Sequence, residues 1–210
     1  MSVAEQVAEV RERIAAAAAR AGRDPATITL VAATKTVAPA RVAEVIAAGV
    51  RDVGENRAQE LLEKTSVPGA HWHFLGQLQR NKVRALAPWV TVWQSVDREE
   101  LGLEIARRAP GARVLVQVNL GEEPQKGGCP PGGVAPLVAT CVGAGLDVAG
   151  LMTVPPHDGE PRPWFARLRE LAGDLGLPEL SMGMTDDYEV AVEEGATFVR
   201  VGRALFGARR

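Results

Sequence analysis

The chain is poor in cysteine and aromatic residues and has no surplus of either charge. Its two cysteines, Cys129 and Cys141, have no metal-ligand spacing, so reduced thiols of a cytosolic chain are expected. His71 and His157 likewise have no partner spacing for a metal. With 24 basic and 26 acidic residues the formal net charge is −2, which leaves no basic face for nucleic acid and no acidic tail. No apolar run approaches the roughly 20 residues needed to cross a bilayer. The opening Met1-Ser2-Val3-Ala4-Glu5 lacks the basic-then-apolar order of a signal peptide. The expectation is a cytoplasmic protein with neither nucleic acid nor a membrane as partner.

Apolar residues are plentiful, at 46% of 210, enough for a packed core in one domain spanning residues 1–210. Ser2 and Glu5 form an S-x-x-E capping box, and helix formers then run to Ala21, with Gly22 as the C-cap. The alanine run Ala15–Ala19 sits between Arg13 and Arg20 and reads as helix interior. Short apolar runs follow at about 29–34, 50–54, 71–75, 90–94, 113–118, 147–152, 179–182 and 197–201. Helical patterns lie between most of them, at 41–48, 59–64, 81–86, 99–107, 134–144, 164–175 and 188–194. Alternating strand and helix implies parallel strands with right-handed crossovers. Eight candidate strands point to an α/β fold, a single-domain (β/α)8 barrel with an extra N-terminal helix. An open doubly wound sheet is the alternative. The stretch Gly127–Gly133 is a loop by composition.

In such a barrel the functional face lies at the C-terminal strand ends. Here those ends carry Lys35, then Gly54-Glu55-Asn56, His73 through Gly76, Asn119, Met152-Thr153, Ser181 through Met184, and Arg200-Val201-Gly202. Lys35 follows the run Leu30–Thr34 and precedes the helix opened by Pro39. A lysine amine there can form a Schiff base with an aldehyde, or it is a surface lysine just past a strand end. Ser181 with Gly183, and Gly202 with Arg203, stand just before helical segments, where backbone N–H groups favour an anion and barrels often bind phosphate. Tight turns alone would also explain the glycines. A phosphate at one side and an amine at the other fit pyridoxal 5′-phosphate.

Alternation along Phe198–Gly202 turns Phe198, Arg200 and Gly202 to one face. An inward Arg200 can only donate, so against a pyridine nitrogen it would keep that nitrogen unprotonated and weaken the ring as an electron sink. Pairing to a barrel carboxylate is the alternative role. His73 reads as a satisfied core histidine rather than a general base. Asn56 either caps a helix or meets the ligand. Lys82, Arg84 and Lys126 read as solvated charges, and Trp89 and Trp93 as packing residues.

These residues together resemble the pyridoxal phosphate homeostasis protein family, also described as the proline synthase co-transcribed (YggS-like) family. The matching stretches are Val31–Lys35, Val53–Arg57, His73–Lys82, Gly150–Thr153, Leu180–Met184 and Val199–Gly202, in order along nearly the whole chain. The segments HFLGQLQRNK and SMGM are the specific ones. The resemblance implies a barrel like the N-terminal domain of alanine racemase, with pyridoxal 5′-phosphate carried on Lys35. It implies that Ser181 and the backbone near Gly202 and Arg203 hold the phosphate, and that Arg200 faces the ring nitrogen. Asn56, Met182 and Gly183 complete the expected cofactor-binding set, and no catalytic or metal-binding residue is assigned. Many relatives have serine at Thr185 and a hydroxyl residue at Arg203, so a side-chain hydroxyl contact at 203 is lost here.

The implied function is intracellular vitamin B6 homeostasis, holding the cofactor without established catalysis, as a monomer, with apo-enzymes that use the same cofactor as partners. The alternative is a racemase-like enzyme using pyridoxal phosphate. The racemase it resembles takes its second base, a tyrosine, from an additional domain, and the single tyrosine here, Tyr188, reads as a surface or packing residue. A phosphosugar-binding barrel would explain the anion site but leave Lys35 without a role.

Overall fold

The computed structural model describes residues 1–123, 125–156 and 159–207; His157 lies outside them. Eight parallel strands close into a barrel in sequence order: β1 (Thr29–Ala33), β2 (Asp52–Glu55), β3 (His71–Phe74), β4 (Val90–Val96), β5 (Arg113–Val118), β6 (Asp147–Thr153), β7 (Glu179–Ser181) and β8 (Phe198–Val201). β8 returns to pair with β1, Leu30 opposite Val199 and Val31 opposite Arg200. The alternating polar and apolar runs therefore produce the closed barrel rather than the open sheet.

The helices are α1 (Val3–Arg20), α2 (Pro39–Ala47), α3 (Ala58–Lys64), α4 (Val83–Leu86), α5 (Glu99–Arg108), α6 (Val134–Gly143), α7 (Arg162–Asp174), α8 (Tyr188–Glu193) and α9 (Arg203–Phe206). The capping box forms at α1: Ser2 Oγ accepts from Glu5 N–H, and Glu5 Oε2 accepts from Ser2 N–H. Ala21 rather than Gly22 caps the far end. Gly22 follows with φ +64°.

Two buried layers result. Strand residues facing the helices pack with Val7, Ile14, Leu101, Phe165 and others in the larger core. Inside the barrel Val31, Val92, Leu115, Ala149, Met152 and Phe198 form a separate cluster, so the lumen is filled with side chains. Trp93 is buried as expected, whereas Trp89 is 45% exposed: it sits in the turn before β4, beyond the reach of either layer. After β5 the chain folds back on the strand end, where Cys129 N–H donates to Gln117 O and Asn119 N–H to Cys129 O. Lys126 is not a solvated charge: it pairs with Glu123 at 2.5 Å and donates to Pro155 O at 2.9 Å, tying this loop to the one after β6.

Candidate functional site

A cavity of about 500 Å³ opens where β1 and β8 end. Lys35, Arg200, Gly202 and Arg203 line it, together with Thr36, Val37, Arg41, Met184, Thr185, Asp186 and Phe206. Among the described residues four cations thus face one carboxylate, and that carboxylate, Asp186, is bonded to Arg203.

Lys35 occupies the turn after β1, and the turn is held on both sides of it. Thr34 is fully buried. Its N–H donates to Gly54 O, its hydroxyl to Glu55 Oε1 at 2.6 Å, and its carbonyl accepts from Lys64 Nζ at 2.8 Å. Lys64 also reaches Glu55 Oε1 at 2.5 Å. Thr36 has φ +64°, a conformation uncommon outside glycine, and its N–H donates to Glu60 Oε2 at 2.7 Å. Burial pushes the Glu55 carboxyl up, against the pull of Lys64 and Thr34. The sequence reading placed Glu55 at a strand end but overlooked Lys64; a lysine three residues after the buried Leu61 was the available signal.

Arg200 points inward, as alternation requires. It donates from Nη1 to Ser181 Oγ at 2.6 Å and from Nη2 to Thr153 O at 2.8 Å. Of its five N–H donors these bonds use two. Burial pushes its pKa down to about 10, so it remains charged at neutral pH. Among the described residues its hydrogen-bond partners are that hydroxyl and that carbonyl, not a barrel carboxylate.

Ser181 lies beneath this floor rather than in the cavity wall: it is fully buried, accepts from Arg200, and donates to Gln94 Oε1 at 2.6 Å. Met182 is fully buried in the outer core. Gly183 has φ +88°, and a Cβ there would meet Ala191 Cβ at 2.5 Å and Tyr188 Cα at 2.9 Å, so helix packing explains this glycine. The residue beyond β7 that lines the cavity is Thr185, whose hydroxyl accepts from Gly202 N–H at 3.4 Å. Gly202 and Arg203 open α9 on the cavity, where leading N–H groups have no intrahelical acceptor. Asn56 lines a different cavity, of about 710 Å³, with Gln77, Lys82 and Arg98; no residue lines both. His73 is a core histidine, bonded to Asp52 Oδ1 at 3.0 Å and Gln94 Nε2 at 2.6 Å.

The donor set suits a flat anionic aldehyde. One primary amine, that of Lys35, lines the cavity, Arg200 lies on its floor, and a second arginine and a helix start face the β8 side. Val37, Met184 and Phe206 provide apolar wall.

The model of the alanine racemase N-terminal domain family matches residues 6–210. A protein of Aquifex aeolicus named pyridoxal phosphate homeostasis protein is 43% identical, over the full length of both chains. One of the same name from Pseudomonas aeruginosa is 45% identical over 99% of this chain and 96% of that one. The solved structure of PipY from Synechococcus elongatus with PLP bound superposes with a TM-score of 0.84 at 32% identity, covering 98% of this chain and all of that one.

Proposed function

The chain belongs to the alanine racemase N-terminal domain family and, within it, to the pyridoxal phosphate homeostasis proteins, and on that premise we propose that it binds pyridoxal 5′-phosphate and holds it without turnover. The observation that carries this reading is the convergence of Lys35, Arg200, Gly202 and Arg203 on one cavity. The bound group would supply an aldehyde carbon and a phosphate dianion. The Lys35 amine is the nucleophile for that carbon, and the clamps on Thr34 and Thr36 fix where it starts from. Arg203 presents its N–H and guanidinium and Thr185 its hydroxyl to the phosphate, while the Gly202 N–H donates to Thr185 Oγ1. Arg200 offers its spare donors to the ring nitrogen, and Ser181 acts beneath it. The whole chain, residues 1–210, would serve as one binding domain.

Two features argue for holding rather than catalysis. Tyr188 is 1% exposed, packed beneath the Arg13 guanidinium, so it offers no base to the cavity. Asp186, the one carboxylate among the described lining residues, is committed to Arg203. A cytoplasmic setting, with apo-enzymes as recipients, is the context this activity fits; among the described residues no helix is long and apolar enough to cross a membrane.

The test is addition of pyridoxal 5′-phosphate to the purified chain, followed by borohydride reduction and peptide mapping. The expected outcome is a near-visible absorbance band and a pyridoxyl adduct on Lys35, both absent from Lys35→Ala. An adduct confined to Lys82 or Lys126 would refute the assignment. Alanine or serine racemisation above the Lys35→Ala background would replace holding by catalysis.

A further inference from the structure

A row of hydrogen bonds crosses the barrel beneath the cavity. Asp52 at the start of β2 bonds His73 on β3, His73 bonds Gln94 on β4, Gln94 bonds Ser181 at the end of β7, and Ser181 bonds Arg200 on β8. His73, Gln94, Ser181 and Arg200 are all buried. Asp52, at the other end, lines a cavity at the base of the barrel with Arg11 and Arg51.

The ends of this row and the protonation of His73 together set its direction. Arginine can only donate, and an ionised carboxylate can only accept. With one proton on His73, each interior member accepts from the Arg200 side and donates toward Asp52. Ser181 Oγ accepts from Arg200 and gives its proton to Gln94 Oε1. The Gln94 amide donates to His73 Nδ1. His73 is then neutral, with its proton on Nε2 and directed at Asp52. Turning the Gln94 amide round would require an imidazolium at His73 that donates to both Gln94 and Asp52, with Ser181 Oγ accepting twice.

We propose that Gln94 and His73, anchored by Asp52, are positioning residues for Arg200: they commit the Ser181 hydroxyl to accepting, which aims the guanidinium at the ligand cavity. The value of this arrangement for the cofactor rests on the pyridoxal phosphate reading above; the donor order itself does not.

Two measurements test it. In the ligand-free protein, ¹⁵N NMR of the imidazole should show His73 protonated at Nε2 and bare at Nδ1, and the Arg200 guanidinium protons should exchange slowly. Gln94→Leu should speed that exchange, while His73→Gln, which retains one donor and one acceptor, should largely preserve it. A proton on His73 Nδ1 in the native chain, or unchanged Arg200 exchange in a folded Gln94→Leu variant, overturns the proposal. In the second measurement Gln94→Leu should weaken pyridoxal phosphate binding by about tenfold, as expected for one misaligned buried hydrogen bond. His73→Gln should recover most of that, and borohydride should still label Lys35. Unchanged affinity in Gln94→Leu refutes the link to the ligand. If the native chain itself binds no cofactor, the function reading fails, and the ligand-free NMR still decides the positioning.

Discussion

Lys64 has almost no water around it, and its Nζ is shared between Glu55 and the carbonyl of Thr34. Removing one member of a buried pair strands the other, typically costing about 3–5 kcal/mol. Lys64→Ala should therefore lose stability of that order in urea denaturation, and it should loosen the turn that carries Lys35. Asp52 behaves differently. Burial raises its pKa, but the bonds to His73 and His71 outweigh this and hold it below its ordinary 3.8. A carboxylate depressed in the folded state contributes stability that is complete above that ordinary value and is lost as pH falls through the folded one. Asp52→Asn should flatten that acid limb in denaturation curves collected between neutral pH and the foot of the acid transition. An acid limb as steep as the native chain's would show that the depression is not there. At this scale the sequence was legible wherever one residue's chemistry sufficed. Lys35 and the inward Arg200 follow from a strand end and from alternation. The engaged hydroxyl of Ser181 and the clamp at Lys64 do not, because their partners lie 87 and 30 positions away.

Elements were easier to read than side-chain partners. The eight apolar runs match the eight strands to within a residue or two at most ends, because each buried parallel strand must be nearly continuous in apolar residues. The helix at α4 is shorter than its pattern: residues 80–82 form a 3₁₀ turn first, where the chain bends out of the β3 end. The turn from β7 to α8 has little room. Gly183→Ala would place a Cβ against Ala191 and force a left-handed residue other than glycine. That should destabilise the protein by at least about 1–2 kcal/mol, read as a lowered Tm, with Arg200 affected because its N–H donates to Gly183 O. An unchanged Tm would mean that α8 yields to the methyl group.

Across the whole molecule, α1 packs against α8 and α9, joining the beginning of the chain to its end. Two kinds of contact hold it: the buried face with Val7, Val10 and Ile14, and half-exposed ion pairs, Arg13 with Glu189 and Arg20 with Glu193. Exposed pairs contribute little and are screened by salt. Molar salt should scarcely move the denaturation midpoint, whereas Ile14→Ala should cost about 2–5 kcal/mol; the reverse ranking would assign the docking of α1 to charge. The sequence by itself determined the strand and helix order, the parallel barrel, the face on which ligands bind and the lysine at its first strand end. Those features depend on the period of apolar residues and on chain polarity, which are local. Only the tertiary structure decided that Ser181 supports Arg200 instead of facing the cavity, that Asn56 belongs to another hollow, and that Thr185 stands beside Gly202. Closing the barrel brings β4 opposite β7 and β8 beside β1, and the direction of a hydrogen bond depends on which donors and acceptors that closure puts within 3 Å of each other.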